Sequence, residues 1–251
     1  MALFTLTITG RTTRHSIATG PTAVVTRITE QLARLRGRIE TAAQAAGRDP
    51  AGVRILAVSK RQPAERIAAA IAAGITDLGE NYLQEALQKM PAYGKEPVWH
   101  FVGRVQSNKS RSVAEHFHWV HTVDSERLAD RLSRQRPAER APLQVLVQVA
   151  PWGDVSRGGV PATAVPALAA HIASLPRLQL RGLMVMPLAG RSTEELREEF
   201  AAGRELLDQL RADGLNVDTL SMGMSHDLET AVQEGATMLR IGTDLFGPRE
   251  T

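Results

Sequence analysis

The sequence predicts an α/β protein, a single (β/α)8 TIM barrel. From residue 24 onward, eight short and nearly apolar segments alternate with amphipathic ones. Strands that are apolar throughout are buried on both faces, and helical crossovers between them make a parallel sheet. The length, 251 residues, is ordinary for one such barrel. A doubly wound sheet is the other way to arrange eight units. It is disfavoured because no G-x-G-x-x-G follows the first strand.

The elements follow in order. Residues 24–46 place Ile28, Leu32, Leu35 and Ile39 at helical spacing, and Gly47 stands where a C-terminal cap belongs. VRILAVS (53–59) is the first strand, and Lys60 follows it at once. Helix 65–74 leads to strand 75–80, helix 82–90 to strand 98–103, and helix 108–116 to strand 118–123. Helix 125–135 and the polar linker RPAERAP precede strand 143–150. Residues 161–174 read as a helix despite Pro166, and 178–186 as the sixth strand. Ser192 and Glu195 form a capping-box pattern ahead of a long helix, 191–214. Strand 218–224, helix 227–236 and the segment TMLRIGTDLFG (237–247) close the series. The barrel domain spans 23–251. Residues 1–22, rich in Thr and without a core-forming period, read as a disordered extension rather than a targeting signal.

Composition excludes several functions. There is no cysteine, hence no disulfide, zinc-thiolate site or cysteine nucleophile. This fits a reducing compartment, and the chain is read as cytoplasmic. No apolar run approaches the roughly 20 residues of a membrane helix. The pI of 9.7 suggests nucleic acid. However, Arg11 and Arg14 supply +2 of the net +3, and no cationic stripe with stacking aromatics exists. His116, His118 and His121 in HFHWVH lack the spacing of a zinc site. His100 reads as a hydrogen-bonded core histidine, and Met184, Met186, Met222 and Met224 as barrel packing.

In a barrel, reactive groups sit where strands end. Lys60 ends the first strand, at the rim of what reads as an apolar barrel. Partial desolvation there lowers a lysine's pKa and favours a nucleophilic amine able to form a Schiff base. The plainer reading is a lysine that snorkels to solvent. After the seventh strand, SMGMSHD places Gly223 and Ser225 at a turn where Ser225 can cap a helix and help hold an anion. After the eighth, Gly242 permits close backbone approach and Thr243 offers a hydroxyl. These two loops are the usual phosphate site of the architecture, although each is also an ordinary turn. A phosphorylated aldehyde satisfies both ends, either pyridoxal phosphate or a phosphorylated sugar.

LAVSK (56–60), GENYLQEA (79–86), HFVGRVQSNKSR (100–111), VLVQVA (145–150) and SMGMSHDLETAVQEGATMLRIGTDLFG (221–247) resemble the YggS/PROSC family, the pyridoxal phosphate homeostasis proteins. The likeness runs in order from about residue 24 to 248. It implies a barrel like the N-terminal domain of alanine racemase, with pyridoxal 5′-phosphate (PLP) on Lys60 as a Schiff base. By the same likeness Ser225, Gly242 and Thr243 hold the phosphate, Asn81 lies beside the ring, and Arg240 faces the pyridine nitrogen. Ser221 and Met224, from the same turn as Ser225, complete the set. Arginine cannot accept a proton, so the ring stays a weak electron sink. A racemase needs a second acid/base group, which alanine racemase takes as a tyrosine from an added β-domain. Tyr82, read in a helix, and Tyr93, read in a loop, are not placed to replace it. The resemblance therefore implies a monomeric PLP carrier, with apo-PLP enzymes as its partners, ahead of an amino-acid racemase. Two departures stand out. Asp154 and Arg157 occupy the loop where many members have an acidic residue and then a lysine, and Gln62 replaces a lysine found in some.

Overall fold

The structure, a computed structural model, describes residues 21–150, 158–188 and 190–247. The extension 1–20, and with it most of the segment read as disordered, lies outside the described residues, as does the 151–157 loop with Asp154 and Arg157.

Eight strands close into one barrel in sequence order: β1 (Arg54–Val58), β2 (Asp77–Glu80), β3 (Val98–Phe101), β4 (Trp119–Val123), β5 (Leu143–Val149), β6 (Leu178–Val185), β7 (Thr219–Ser221) and β8 (Met238–Ile241). Every pairing is parallel, and β1 pairs both β2 and β8 to shut the ring. The helices are α1 (Pro21–Ala45), α2 (Ala64–Ala72), α3 (Leu83–Lys89), α4 (Ser110–His116), α5 (Glu126–Gln135), α6 (Val165–Ala173), α7 (Thr193–Ala212), α8 (Leu228–Gln233) and α9 (Thr243–Phe246). Thus α1 already includes Pro21 and Thr22, and the last segment breaks after Ile241 into the short α9.

Local chemistry explains these limits. Gly47 ends α1 with φ +64, and Arg48 N–H donates to the Ala43 carbonyl at 2.8 Å. Pro166 is tolerated because α6 begins at Val165, and a proline in the first turn forfeits no helical bond. Ser192 and Glu195 form the expected reciprocal cap of α7. Gly182, at φ +143, lies so close to β7 that a Cβ would stand 2.0 Å from the Thr219 carbonyl oxygen.

The outward faces of the strands pack on the helices through residues such as Leu78, Phe101, Val120 and Leu183. The inward face is not the apolar filling the sequence suggested. Trp119, Leu146 and Met184 form a small apolar patch of their own. The Arg54 and Arg181 guanidinium groups lie 5.1 and 5.0 Å from the Trp119 ring centre. His100 stacks on the same ring at 5.2 Å. Asp77, His100, His121, Ser221 and Arg240, all buried, are joined by hydrogen bonds. Alternation puts polar residues inward among apolar neighbours, such as His100 on β3, His121 on β4 and Gln148 on β5, and average hydropathy conceals them. Of the methionines, Met184 packs inside this patch, whereas Met222 joins the cluster shared with the helices.

Candidate functional site

At the C-terminal mouth of the barrel lies a cleft of about 220 Å³. Lys60, Asn81, Met224, Ser225, Arg240, Gly242 and Thr243 all line it. The structure therefore brings seven of the eight sequence-derived residues together. Ser221 is not among the lining residues. It is fully buried behind Arg240, whose Nη1 donates to the Ser221 carbonyl at 2.8 Å and to its hydroxyl at 3.0 Å. Val58, Val102, Met184 and Met186 give the cleft apolar walls, and Gln62 reaches it too.

The chain has four lysines, Lys60, Lys89, Lys95 and Lys109. Among the described residues that line the cleft, Lys60 is the only one of them. Its backbone is held by a cluster that sequence spacing did not reveal. Lys89 Nζ donates to the Ser59 carbonyl at 2.7 Å, to Glu80 Oε1 at 2.9 Å and to Glu85 Oε1 at 2.6 Å. The Ser59 hydroxyl donates to Glu80 Oε1 at 2.7 Å. Arg61, next to Lys60, has φ +57, an uncommon conformation for a side-chain-bearing residue, and its N–H donates to Glu85. Burial pushes the Glu80 carboxyl above the ordinary range, even with Ser59 and Lys89 favouring its charge.

The turns after β7 and β8 are tied together differently from the expectation. Ser225 does not cap α8, whose N-cap is Asp227. Its hydroxyl accepts from the Asp244 N–H at 3.3 Å, bridging the turn after β7 to α9. The physical reason is that α8 starts at Leu228, too far along the chain for a Ser225 cap. Arg38 of α1 binds both turns at once. It donates to the Ser225 carbonyl at 3.0 Å, to Glu229 at 2.6 Å, and to Asp244. These partners lie 187 to 206 residues away in sequence, so no local pattern could show the link.

Two features fit a phosphorylated aromatic aldehyde. Asn81 Oδ1 is buried without a hydrogen-bond partner, an arrangement that costs free energy unless something else fills it. Gly242 is not forced by crowding: a Cβ there would meet only the Val58 carbonyl oxygen at 3.7 Å and the Val58 Cβ at 3.9 Å. Its bareness leaves room on the cleft side. Burial draws Arg240 down, to about 10, which still leaves it charged near neutrality. Behind the site, burial holds His100 below its ordinary value and His121 well below it, so both are neutral.

The other candidates fall elsewhere. Tyr82 is the N-cap of α3 and is exposed, with the Arg61 guanidinium over its ring. Tyr93 sits in the 3-10 turn Met90–Tyr93, where its hydroxyl donates to the Ala64 carbonyl. His116 pairs with its own helix, His118 accepts from the Trp99 N–H, and His121 points into the barrel. Among the described residues, no three metal-type ligands cluster.

Comparison with known proteins agrees with this geometry. Residues 31–250 match the family model "Alanine racemase, N-terminal domain". The "Pyridoxal phosphate homeostasis protein" of Pseudomonas aeruginosa is 53% identical over 224 residues, covering 89% of this chain and 96% of that one. The protein of the same name from Escherichia coli K12 is 45% identical over 230 residues, covering 89% and 97%. Among solved structures, PipY of Synechococcus elongatus, determined with PLP bound, superposes with a TM-score of 0.77 at 38% identity, covering 88% of this chain and 100% of that one. Alanine racemase from Corynebacterium glutamicum, 18% identical with a TM-score of 0.64, shares the fold over 86% of this chain and 61% of its own. This chain belongs to the pyridoxal phosphate homeostasis proteins, within the alanine racemase N-terminal-domain family.

Proposed function

We propose that this chain binds PLP covalently on Lys60 and serves cofactor homeostasis in the cytoplasm, without turning over a substrate of its own. The observation that carries the reading is one cleft shared by Lys60 and the turns of Ser225, Gly242 and Thr243. The names of the relatives and the PLP bound in PipY support it.

When bound, PLP supplies an aldehyde that condenses with a primary amine and a ring that withdraws electrons from the linkage. Lys60, at the edge of the cleft, would supply the primary amine that holds PLP. Ser225, Thr243 and the bare backbone of Gly242 would hold the phosphate, in the pair of turns clipped by Arg38. Asn81 would offer its unpartnered Oδ1 to the bound group. Arg240, which can only donate, would face the ring and leave its nitrogen unprotonated, so that the ring would stay a weak electron sink.

A racemase reading needs a second proton carrier facing Lys60. Among the described lining residues the titratable ones are Lys60, His226 and Arg240, and the His226 side chain is largely solvent-exposed. A carrier's partners are apo-enzymes that use PLP. Action as a monomer is supported by the surface: Val25 and Tyr82 are the exposed large hydrophobics among the described residues. No helix in the described residues is long and apolar enough to cross a membrane.

The test is the absorbance of protein incubated with PLP and then desalted. The wild-type chain should retain a visible Schiff-base band, and Lys60→Ala should emerge colourless while still folded. Covalent cofactor persisting in Lys60→Ala would refute the assignment. Rapid α-proton exchange of an amino acid in deuterated water would favour the racemase reading instead.

A further inference from the structure

The barrel interior carries a continuous hydrogen-bonded chain that the binding of a cofactor at the mouth does not by itself require. It starts at Asp77, at the first residue of β2, and ends at Arg240, at the mouth. Asp77 Oδ1 lies 2.9 Å from His100 Nε2. His100 Nδ1 lies 3.0 Å from His121 Nε2. His121 Nδ1 lies 3.2 Å from the Ser221 hydroxyl, which lies 3.0 Å from Arg240 Nη1. All five residues are buried, and they come from five different strands.

The two ends, together with the neutrality that burial imposes on both imidazoles, fix the direction of every bond. Arginine can only donate, so the Ser221 oxygen accepts from Arg240. An ionised carboxylate can only accept, so His100 donates to Asp77 through Nε2–H. Each imidazole is neutral and carries one proton. His100 Nδ1 is then an acceptor, His121 must donate to it through Nε2–H, and His121 Nδ1 must accept the Ser221 hydroxyl proton. No donor meets a donor along the path. Burial would raise the Asp77 carboxyl, but His100, Thr76 and the Arg54 charge 3.7 Å away outweigh it and keep Asp77 ionised. The chain is not a route for moving a proton toward Asp77. That shift would leave Arg240 neutral, and Arg240 titrates far above neutrality.

We infer that Asp77, His100, His121 and Ser221 are positioning residues, which hold the Arg240 guanidinium in a fixed orientation from the opposite end of the barrel. Arg240 needs such a device. Among the described residues its hydrogen-bond acceptors are the Ser221 and Val185 carbonyls and the Ser221 hydroxyl, none of them a carboxylate. The directed chain aligns dipoles so that the Ser221 oxygen is a better acceptor, because its own proton is drawn toward His121. The inference rests on the PLP reading for the ligand that Arg240 meets, but the chain itself exists in the protein alone.

Two measurements test it. The first uses protein labelled with nitrogen-15, without cofactor, and reads histidine tautomers from two-bond proton–nitrogen correlations. His100 and His121 should both be neutral Nε2–H tautomers near about pH 8, above the range in which ordinary histidines titrate. An Nδ1–H tautomer or an imidazolium at either residue overturns the chain. The second compares His121→Gln, whose amide can accept from Ser221 and donate to His100, with His121→Leu, which can do neither. Folding of each is checked by circular dichroism. His121→Gln should hold PLP within about twofold of wild type. His121→Leu should bind roughly tenfold more weakly, as expected for misplacing a charged hydrogen-bonding group. Its bound chromophore should also shift in the ratio of its visible to near-ultraviolet bands. A folded His121→Leu with wild-type affinity and spectrum overturns the positioning role. A wild-type protein that binds no PLP defeats the cofactor reading instead, and the tautomer measurement still decides the chain.

Discussion

Replacing Lys89 with methionine isolates the cluster behind Lys60. Glu80 is wholly buried, and Lys89, with 15% of its side chain exposed, is its charged partner at 2.9 Å. Methionine keeps most of the volume and removes the ammonium, leaving a buried carboxylate supported by Ser59 alone. Removing one member of a buried pair costs about 3–5 kcal/mol. For a chain of this size that is a fall in Tm of roughly 10 °C, at about 2–4 °C per kcal/mol. The loss has a defined pH dependence. The Glu80 carboxyl is already raised in the folded state, and losing Lys89 raises it further. A carboxyl raised on folding binds its proton more tightly in the native state than in the unfolded one, so stability falls as pH rises through that window. Below the unfolded value near 4.5, Glu80 is protonated in both states and this contribution vanishes. The difference in Tm between wild type and Lys89→Met should therefore be small near pH 4.5 and largest above neutrality. Adding Glu80→Gln to Lys89→Met should restore most of it. A difference independent of pH, or no rescue by the double substitution, would refute the buried-charge explanation.

Other outcomes follow from the geometry. Arg38→Ala frees the Ser225 carbonyl, Glu229 and Asp244 from their common donor. PLP affinity, measured by titration of absorbance, should fall by roughly three- to tenfold, about 1 kcal/mol of lost positioning, while the covalent site stays on Lys60. Gly103→Ala would put a Cβ 2.2 Å from the Asn81 carbonyl oxygen. Relief requires moving backbone, so a loss of about 1–3 kcal/mol is expected in denaturant unfolding, together with weaker PLP binding because Asn81 shifts. Unchanged stability in Gly103→Ala would contradict the close approach.

Much of the fold was legible because two periods separate cleanly in this sequence. Ile28, Leu32, Leu35 and Ile39 repeat at helical spacing, and all four are buried in α1. Runs such as LQVLVQV are apolar enough to mark a strand covered on both faces. Strand ends were harder. The apolar segment 218–224 yields only Thr219–Ser221 as strand, because Gly223, at φ +89, turns the chain early. The mouth residues were readable because barrel geometry says where to look, and Lys60, Ser225 and Thr243 each end or follow a strand. What was not readable depends on partners distant in sequence. Arg38 reaches turns some 190 residues later, and Ser225 serves Asp244 rather than its own helix. The internal chain had a faint signal in polar residues within the apolar strands, His100, His121, Ser221 and Arg240. Their mutual contact depends on register across the closed sheet, which no single strand encodes.

The central claim is that one amine takes the cofactor. Reduction of the PLP-loaded protein with borohydride, followed by proteolysis and peptide mass mapping, tests it most directly, since the chain offers four lysines. The account predicts one phosphopyridoxyl group, on the peptide containing Lys60. A label found instead on Lys89, Lys95 or Lys109, or no label at all, would contradict it.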